Sequence, residues 1–273
     1  MAFGGENAES YYDEGLTALV RGEVEGAVKA FQRATQLDNG FIAAHHQLGK
    51  CYARLGQIEE AIELLEWVVR QKPGVIQSRL DLGNALLQGG FAERAREQFT
   101  TVLHQDPQNG RAHLGMAQVH FQNQDWPRSV AAAQAARAYA GPNFATLFLL
   151  GRAAKQAGNL VLATNSLKEA DAIIKQSSEF DPESPEFHYL RGQICFAEDD
   201  LAKAIDHYRA AEDRIQRDRF YAVFGQTFTY LDILAQRGIC LQRVGNLTAA
   251  KEIGEKIVAA CPEHAIGRSL CNL

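Results

Sequence analysis

Leu48 to Pro73 reads LGKCYARLGQIEEAIELLEWVVRQKP and sets Gly49, Ala61 and Pro73 at successive intervals of twelve residues. The same spacing joins Gly83, Ala95 and Pro107, and again Gly238, Ala250 and Pro262. Its first two members recur as Gly151 with Ala163 and Gly192 with Ala204. Gly15 and Ala27 repeat them once more, with Asp38-Asn39-Gly40 standing where the proline would fall. Gly15, Gly49 and Gly83 lie 34 residues apart; one further period reaches Ala117, paired with Ser129, and the next reaches Gly151. A fixed period of this length outranks any local motif, because it marks one supersecondary unit used many times.

The 34-residue unit resembles the tetratricopeptide repeat, a helix–turn–helix. That family favours a large residue at position 4, Leu at 7, Gly or Ala at 8 and an aromatic at 11. It places Ala at 20, an aromatic at 24, Ala at 27 and Pro at 32. The second unit matches through Leu48, Gly49, Tyr52, Ala61, Leu65 and Pro73, the third through Leu82, Gly83, Leu86, Ala95, Phe99 and Pro107. Seven repeats fit, at 8–41, 42–75, 76–109, 110–143, 144–177, 185–218 and 231–264, with insertions at 178–184 and 219–230. The resemblance implies an all-α fold, one right-handed superhelical solenoid over 1–273. Positions 4, 8 and 11 make one stripe of the first helix. Small residues at 8 and 20 let paired helices approach, and proline stops the second helix. One pair cannot bury its apolar face alone, so neighbours must stack. Arg191 and Arg237 at position 7, Ser129 at 20 and Gly254 at 24 depart from the pattern.

Composition agrees with a folded chain and narrows its partners. Of 273 residues, 46% are apolar, enough for a core. A formal charge of −5 argues against a dedicated binder of nucleic-acid phosphates. No apolar run approaches the ~20 residues of a membrane-spanning helix. MAFGGENAES shows neither a signal peptide nor a glycine at position 2, so a cytoplasmic location is expected. The five cysteines form neither a CxxC pair nor an even disulfide framework, and read as reduced thiols inside helices.

Ala43 to Gly56, AAHHQLGKCYARLG, carries two histidines, Gly-Lys and a cysteine, yet the period absorbs them. A phosphate loop needs a glycine where Ala44 stands and a hydroxyl where Cys51 stands. His45, His113 and His188 share position 4, and His120 takes position 11, all packing sites. Three or four converging ligands are not evident, so no metal is expected. No nucleophile–base pair stands out, and neither catalysis nor a cofactor is expected. The stretch around the first insertion, Ser177 to Pro185, reads as a polar, acidic loop. Phe220 to Tyr230, FYAVFGQTFTY, reads either as aromatic extensions of the adjoining helices, buried against neighbours, or as an exposed interface.

In the family, positions 2, 5, 9, 12 and 13 face a concave groove. Here the resemblance assigns them to Tyr12, Leu16 and Leu19; His46, Lys50 and Arg54; Leu80, Asn84 and Leu87; Arg111, Leu114, Gln118 and Phe121; Phe148, Arg152 and Lys155; and Tyr189, Gln193 and Phe196. Basic groups alternate with apolar ones, which suits a protein or peptide segment carrying acidic groups and apolar anchors. The clamp that some family members close on a chaperone tail is not matched, since its positions hold His46, Lys50, Asp81, Arg111 and Gly115. The expected function is a non-catalytic adaptor or scaffold that aids complex assembly. The alternatives are a substrate-recruiting module of a separate enzyme, such as a transferase, and a self-assembling scaffold. The last route would use the 219–230 segment or an open end after the final repeat, where only AIGRSLCNL follows.

Overall fold

The computed structural model describes residues 7–177, 181–217, 219–223 and 226–273. Residues 178–180 of the first insertion, residue 218 and residues 224 and 225 of the second lie outside the description. The described residues form paired antiparallel helices. The pairs are α1 (Ala8–Val20) with α2 (Val24–Leu37), α3 (Ile42–Arg54) with α4 (Ile58–Gln71), α5 (Ile76–Gln88) with α6 (Ala92–Gln105), and α7 (Gly110–Gln122) with α8 (Trp126–Ala140). They continue as α9 (Phe144–Gln156) with α10 (Leu160–Gln176), α11 (Pro185–Ala197) with α12 (Leu201–Arg214), and α13 (Tyr230–Arg243) with α14 (Leu247–Ala260). A short α15 (Ala265–Cys271) ends the series, and a hairpin, β1 (Tyr221–Val223) and β2 (Gln226–Phe228), stands between α12 and α13. The chain divides into two compact units, one ending at Gly141 and one beginning at Pro142. Each is a helical solenoid of stacked helix–turn–helix repeats.

The turn inside each pair is set at position 15 of the repeat. Gly22, Gly56, Gly90, Gly158 and Gly245 take φ between +75° and +82° there. Gln124 and Asp199 occupy the same place with φ 57° and 65°. A left-handed residue with a Cβ costs about 1–2 kcal/mol, so glycine is the natural choice and Gln124 and Asp199 are exceptions. The following residue caps the second helix. Asp125, Asn159, Asp200 and Asn246 accept backbone N–H bonds there, whereas Glu23, Gln57 and Phe91 make no side-chain cap.

The core of each pair forms where position 24 meets position 8. A Cβ on Gly83 would stand 2.6 Å from the ring of Phe99, which is fully buried and also lies against Gly115 of the next pair. In the fourth pair Ala133 replaces the large residue of position 24, and Ser129 Oγ at position 20 donates to Ala117 O at position 8 at 2.8 Å. The seventh pair has Gly254 at position 24, and α15 supplies what is missing. Leu270, 1% exposed, enters against Gly238 and Gly254, while Gly267 packs on Ile257. The residues after Pro262 therefore cover the last pair instead of leaving its apolar face open.

Arg191 and Arg237 are compensated in register. Arg191 Nε lies 3.1 Å from Asp171, and Arg237 pairs with Glu212, both partners being nearly buried at 13% and 14% exposure. Each acid sits at position 28 of the preceding repeat. In the third repeat the equivalent residues, Leu82 and Val69, are apolar and share one buried cluster. Two apolar partners have thus been exchanged together for an ion pair at two successive junctions.

The second insertion does not lengthen its neighbouring helices. Tyr221 pairs with Phe228 and Val223 with Gln226 in an antiparallel hairpin, and Tyr221, Val223 and Phe228 are buried. Alternating aromatic and β-branched residues favour a pleated surface over a helix.

Candidate functional site

The first helices of successive pairs approach one another, α3 with α5 and α5 with α7 in the first unit and α9 with α11 in the second. In the first unit, His46 Nε2 on α3 donates to Asp81 Oδ2 on α5 at 2.9 Å. Gln77 Nε2 donates to the same carboxylate at 2.8 Å, and Arg111 on α7 donates to Gln77 Oε1 at 2.6 Å while lying 3.8 Å from Asp81. Burial alone would raise the Asp81 carboxyl, but hydrogen bonds from His46 and Gln77 and the nearby Lys50 charge outweigh it and hold it below the usual range. His46 and Arg111 are thus engaged within the wall. Lys50 and Arg54, half-exposed on α3, make no ion pair with any described residue.

The other expected wall residues divide by exposure. Tyr12 packs its ring on Phe31 and Phe41 at 5.6 and 5.0 Å, and Leu16 and Leu19 beside it are half-buried. Leu80 and Leu87 are buried and shape the wall from behind. Asn84 is exposed, Leu114 and Gln118 are half-buried, and Phe121 meets Trp126 edge-on at 5.0 Å.

In the second unit, Lys155 Nζ donates to Ala197 O at 2.6 Å and to Asp199 at 2.5 Å. Arg243 reaches Asp199 at 3.2 Å and lies 5.0 Å over the Phe196 ring. The hydrogen bond from Lys155 is the largest influence, and together with the Lys155 charge and the hydrogen bond and charge of Arg243 it holds the Asp199 carboxyl below its usual range against desolvation. The carboxylate thus bridges Lys155 of α9 and Arg243 of α13. Phe148 is 7% exposed and stacks on Phe144; Arg152 lies 5.5 Å from the Phe148 ring. Burial depresses the Arg152 guanidinium. Gln193 is half-buried. Tyr189 is 6% exposed because Phe228 lies flat on it, with centroids 4.0 Å apart and planes 12° from parallel.

Gln77, Asp199 and Arg243 escaped the sequence reading, and Asp81 entered it only as a mismatch to the chaperone-tail clamp. Gln77 at position 2 and Arg243 at position 13 hold groove positions of their repeats, and Asp199 stands where five other repeats have glycine; those were the available signals.

Among the described residues no group of three or more His, Cys, Asp or Glu could hold a metal ion. His188 and His207 meet through their Nδ1 atoms at 3.2 Å, with burial pushing His207 down to about 4 and lowering His188 as well. Burial raises the Cys51 and Cys240 thiols to about 11, away from the nucleophilic thiolate. No described helix is long and apolar enough to cross a membrane.

Paired helices on a 34-residue period, joined by tight turns, define a helical repeat protein of the α-solenoid class. A tetratricopeptide repeat family model matches residues 80–145, 114–173 and 148–219, and a second matches 18–79. The chain belongs to the tetratricopeptide repeat family. No curated protein sequence matches it. Among solved structures it is similar to a tetratricopeptide repeat protein from Parabacteroides merdae, with TM-score 0.64, 13% identity, and 97% of this chain and 98% of that one covered. It also resembles a chain of the APC/C hetero-tetramer Cut9–Hcn1, with TM-score 0.61, 17% identity, and 94% and 47% covered. A third likeness is to MamA from Desulfovibrio magneticus RS-1, with TM-score 0.55, 17% identity, and 64% and 98% covered.

Proposed function

We propose that the chain is a non-catalytic adaptor that holds a protein or peptide segment on the inner wall of its first unit and so helps assemble a complex. The observation that carries this is the pair Lys50 and Arg54, two cations on one helix that make no ion pair with a described residue, while His46 beside them is held by Asp81; the exposed Arg111 on α7 adds a third cation. Asn84 and Gln118 on the adjoining helices can hydrogen-bond an extended backbone, and Leu114 and Phe121 offer apolar contact. An acidic segment with an apolar anchor fits this arrangement, since opposite charge steers encounter and buried aromatic contact slows release. The Cut9–Hcn1 hetero-tetramer is an example of this fold working beside another chain.

The reading is tested with Lys50→Glu combined with Arg54→Glu, in affinity capture from native lysate. Partners captured by the wild type should be lost while the melting temperature stays unchanged. Undiminished capture by the charge-reversed protein would remove the wall of the first unit as the binding surface.

A further inference from the structure

The first repeat departs from the period at its end, where Asn39 occupies the place that Pro73, Pro107 and Pro262 hold in their repeats. Without the proline ring the link between α2 and α3 is a tight turn, closed by the Phe41 N–H donating to Asp38 O at 3.1 Å. Inside that turn the Gly40 N–H donates to Asp38 Oδ1 at 2.9 Å. Asp38, Asn39 and Gly40 are all exposed, and the Asn39 amide makes no hydrogen bond with a described residue. The space around Gly40 is open as well, since a Cβ built there would meet only the Asp38 oxygen, at 3.3 Å.

An electrophile, a nucleophile and a base are thereby neighbours. The side-chain carbonyl carbon of Asn39 can be attacked by the backbone nitrogen of the next residue, and glycine there has no Cβ to hinder the approach or restrict the backbone. The Asp38 carboxylate already touches the proton that this nitrogen must lose. The chain's second Asn-Gly pair, Asn109-Gly110, is placed differently. Asn109 Oδ1 accepts from the Ala112 N–H at 3.0 Å and its Nδ2 donates to Asp106 Oδ2 at 3.0 Å, so both ends of that amide are held. Gly110 opens α7 and lies against α8, where an added Cβ would stand 2.5 Å from Ala140.

We propose that Asn39-Gly40 is a site of spontaneous covalent modification at the end of the first repeat, with Asp38 as its base. The Gly40 nitrogen forms a bond to Asn39 Cγ while Asp38 takes its proton. The bond from Cγ to the amide nitrogen then breaks, and that nitrogen leaves with a proton as ammonia, giving a cyclic imide. Water opens the ring at either carbonyl, leaving aspartate or its β-linked isomer at residue 39. Both products add one negative charge, and the β-linked form also lengthens the main chain by a methylene group ahead of Phe41, whose ring packs on Tyr12 at 5.0 Å. The helix end beside the new charge has no anion of its own: Phe41 makes no side-chain cap, and the first turn of α3 holds no acid. A negative charge complements a helix N-terminus, so the modified chain keeps its fold. The inference does not rest on the adaptor reading, although the junction it alters is the one that sets α3, the helix of Lys50 and Arg54.

The test incubates the purified full chain at neutral pH and follows Asn39 and Asn109 by peptide mapping with mass spectrometry. Asn39 should become acid, in both linkages, while Asn109 stays an amide. In the urea-unfolded chain the two sites should convert alike, because the fold makes the difference between them. Asp38→Ser keeps a side-chain oxygen for the Gly40 N–H but removes the carboxylate, and should slow conversion about tenfold or more. Gly40→Ala, which needs only a small shift of the Asp38 side chain, should slow it as well. A persistent Asn39 amide, equal conversion at Asn39 and Asn109 in the folded chain, or an Asp38→Ser rate equal to that of the wild type overturns the proposal. Should Asp38→Ser lose its native circular dichroism, Gly40→Ala and the comparison of folded with unfolded chain decide instead. The readout is chemical, so it stands or falls separately from partner capture through Lys50 and Arg54.

Discussion

The Arg237–Glu212 pair allows the exchange between ionic and apolar junctions to be measured. Both side chains are nearly out of water, and each is the other's nearest opposite charge across the junction of α12 and α13. Removing one partner strands a buried charge, which costs about 3–5 kcal/mol. Arg237→Leu alone should therefore lower stability by roughly 3 kcal/mol, and Glu212→Val alone by a similar amount. At about 3 °C per kcal/mol for a unit of this size, each single variant should melt roughly 9 °C lower. The double variant recreates the Leu82–Val69 combination of the third repeat. A buried ion pair replaced by matching apolar residues is neutral or up to about 4 kcal/mol more stable, so the double variant should melt at or above the wild type. Urea titration of the four proteins gives the coupling directly, with the m-value checking that the unfolded state is unchanged. Additive losses, with the double variant about 6 kcal/mol below the wild type, would refute the idea that positions 7 and 28 are exchanged as one unit.

Two other outcomes follow from the second unit. His207 titrates near 4 when folded, against an ordinary value of 6.5, because burial first, then Arg191 and His188, disfavour its charge despite Asp171 and Asp206; His188 is depressed in the same direction. The unfolded chain then binds protons first, so stability is full above pH 6.5, falls as pH drops toward 4 and levels off below. A loss of about 1–3 kcal/mol, discounted for partial solvent access, should appear in thermal melts across that window and shrink in His207→Gln. For α15, Leu270→Ala empties the space beside Gly238 and Gly254 and should cost about 2–5 kcal/mol, read by urea unfolding; a loss under 1 kcal/mol would show that α15 does not cap the last pair.

The helix pairs were legible because the Gly–Ala–Pro spacing encodes close approach and termination, two local steric requirements that a single repeat already displays. Features joining one repeat to the next were not, since they depend on residues about 20 or 35 places apart. Arg191 and Arg237 look like flaws until Asp171 and Glu212 are placed against them. His46, Lys50 and Arg54 look like one basic panel until Asp81 arrives from the next helix to claim His46. Gly254 looks like a missing side chain until α15 brings Leu270 to it. The hairpin was hidden for a different reason: an aromatic run of eleven residues satisfies a helical or a pleated pattern equally well, and only the Tyr189 surface chooses between them. The wall was thus readable as a set of positions, while its charge and its accessibility are set by neighbours. On α3 Asp81 takes His46 and leaves Lys50 and Arg54 without an ion pair among the described residues, and in the second unit Phe228 covers Tyr189.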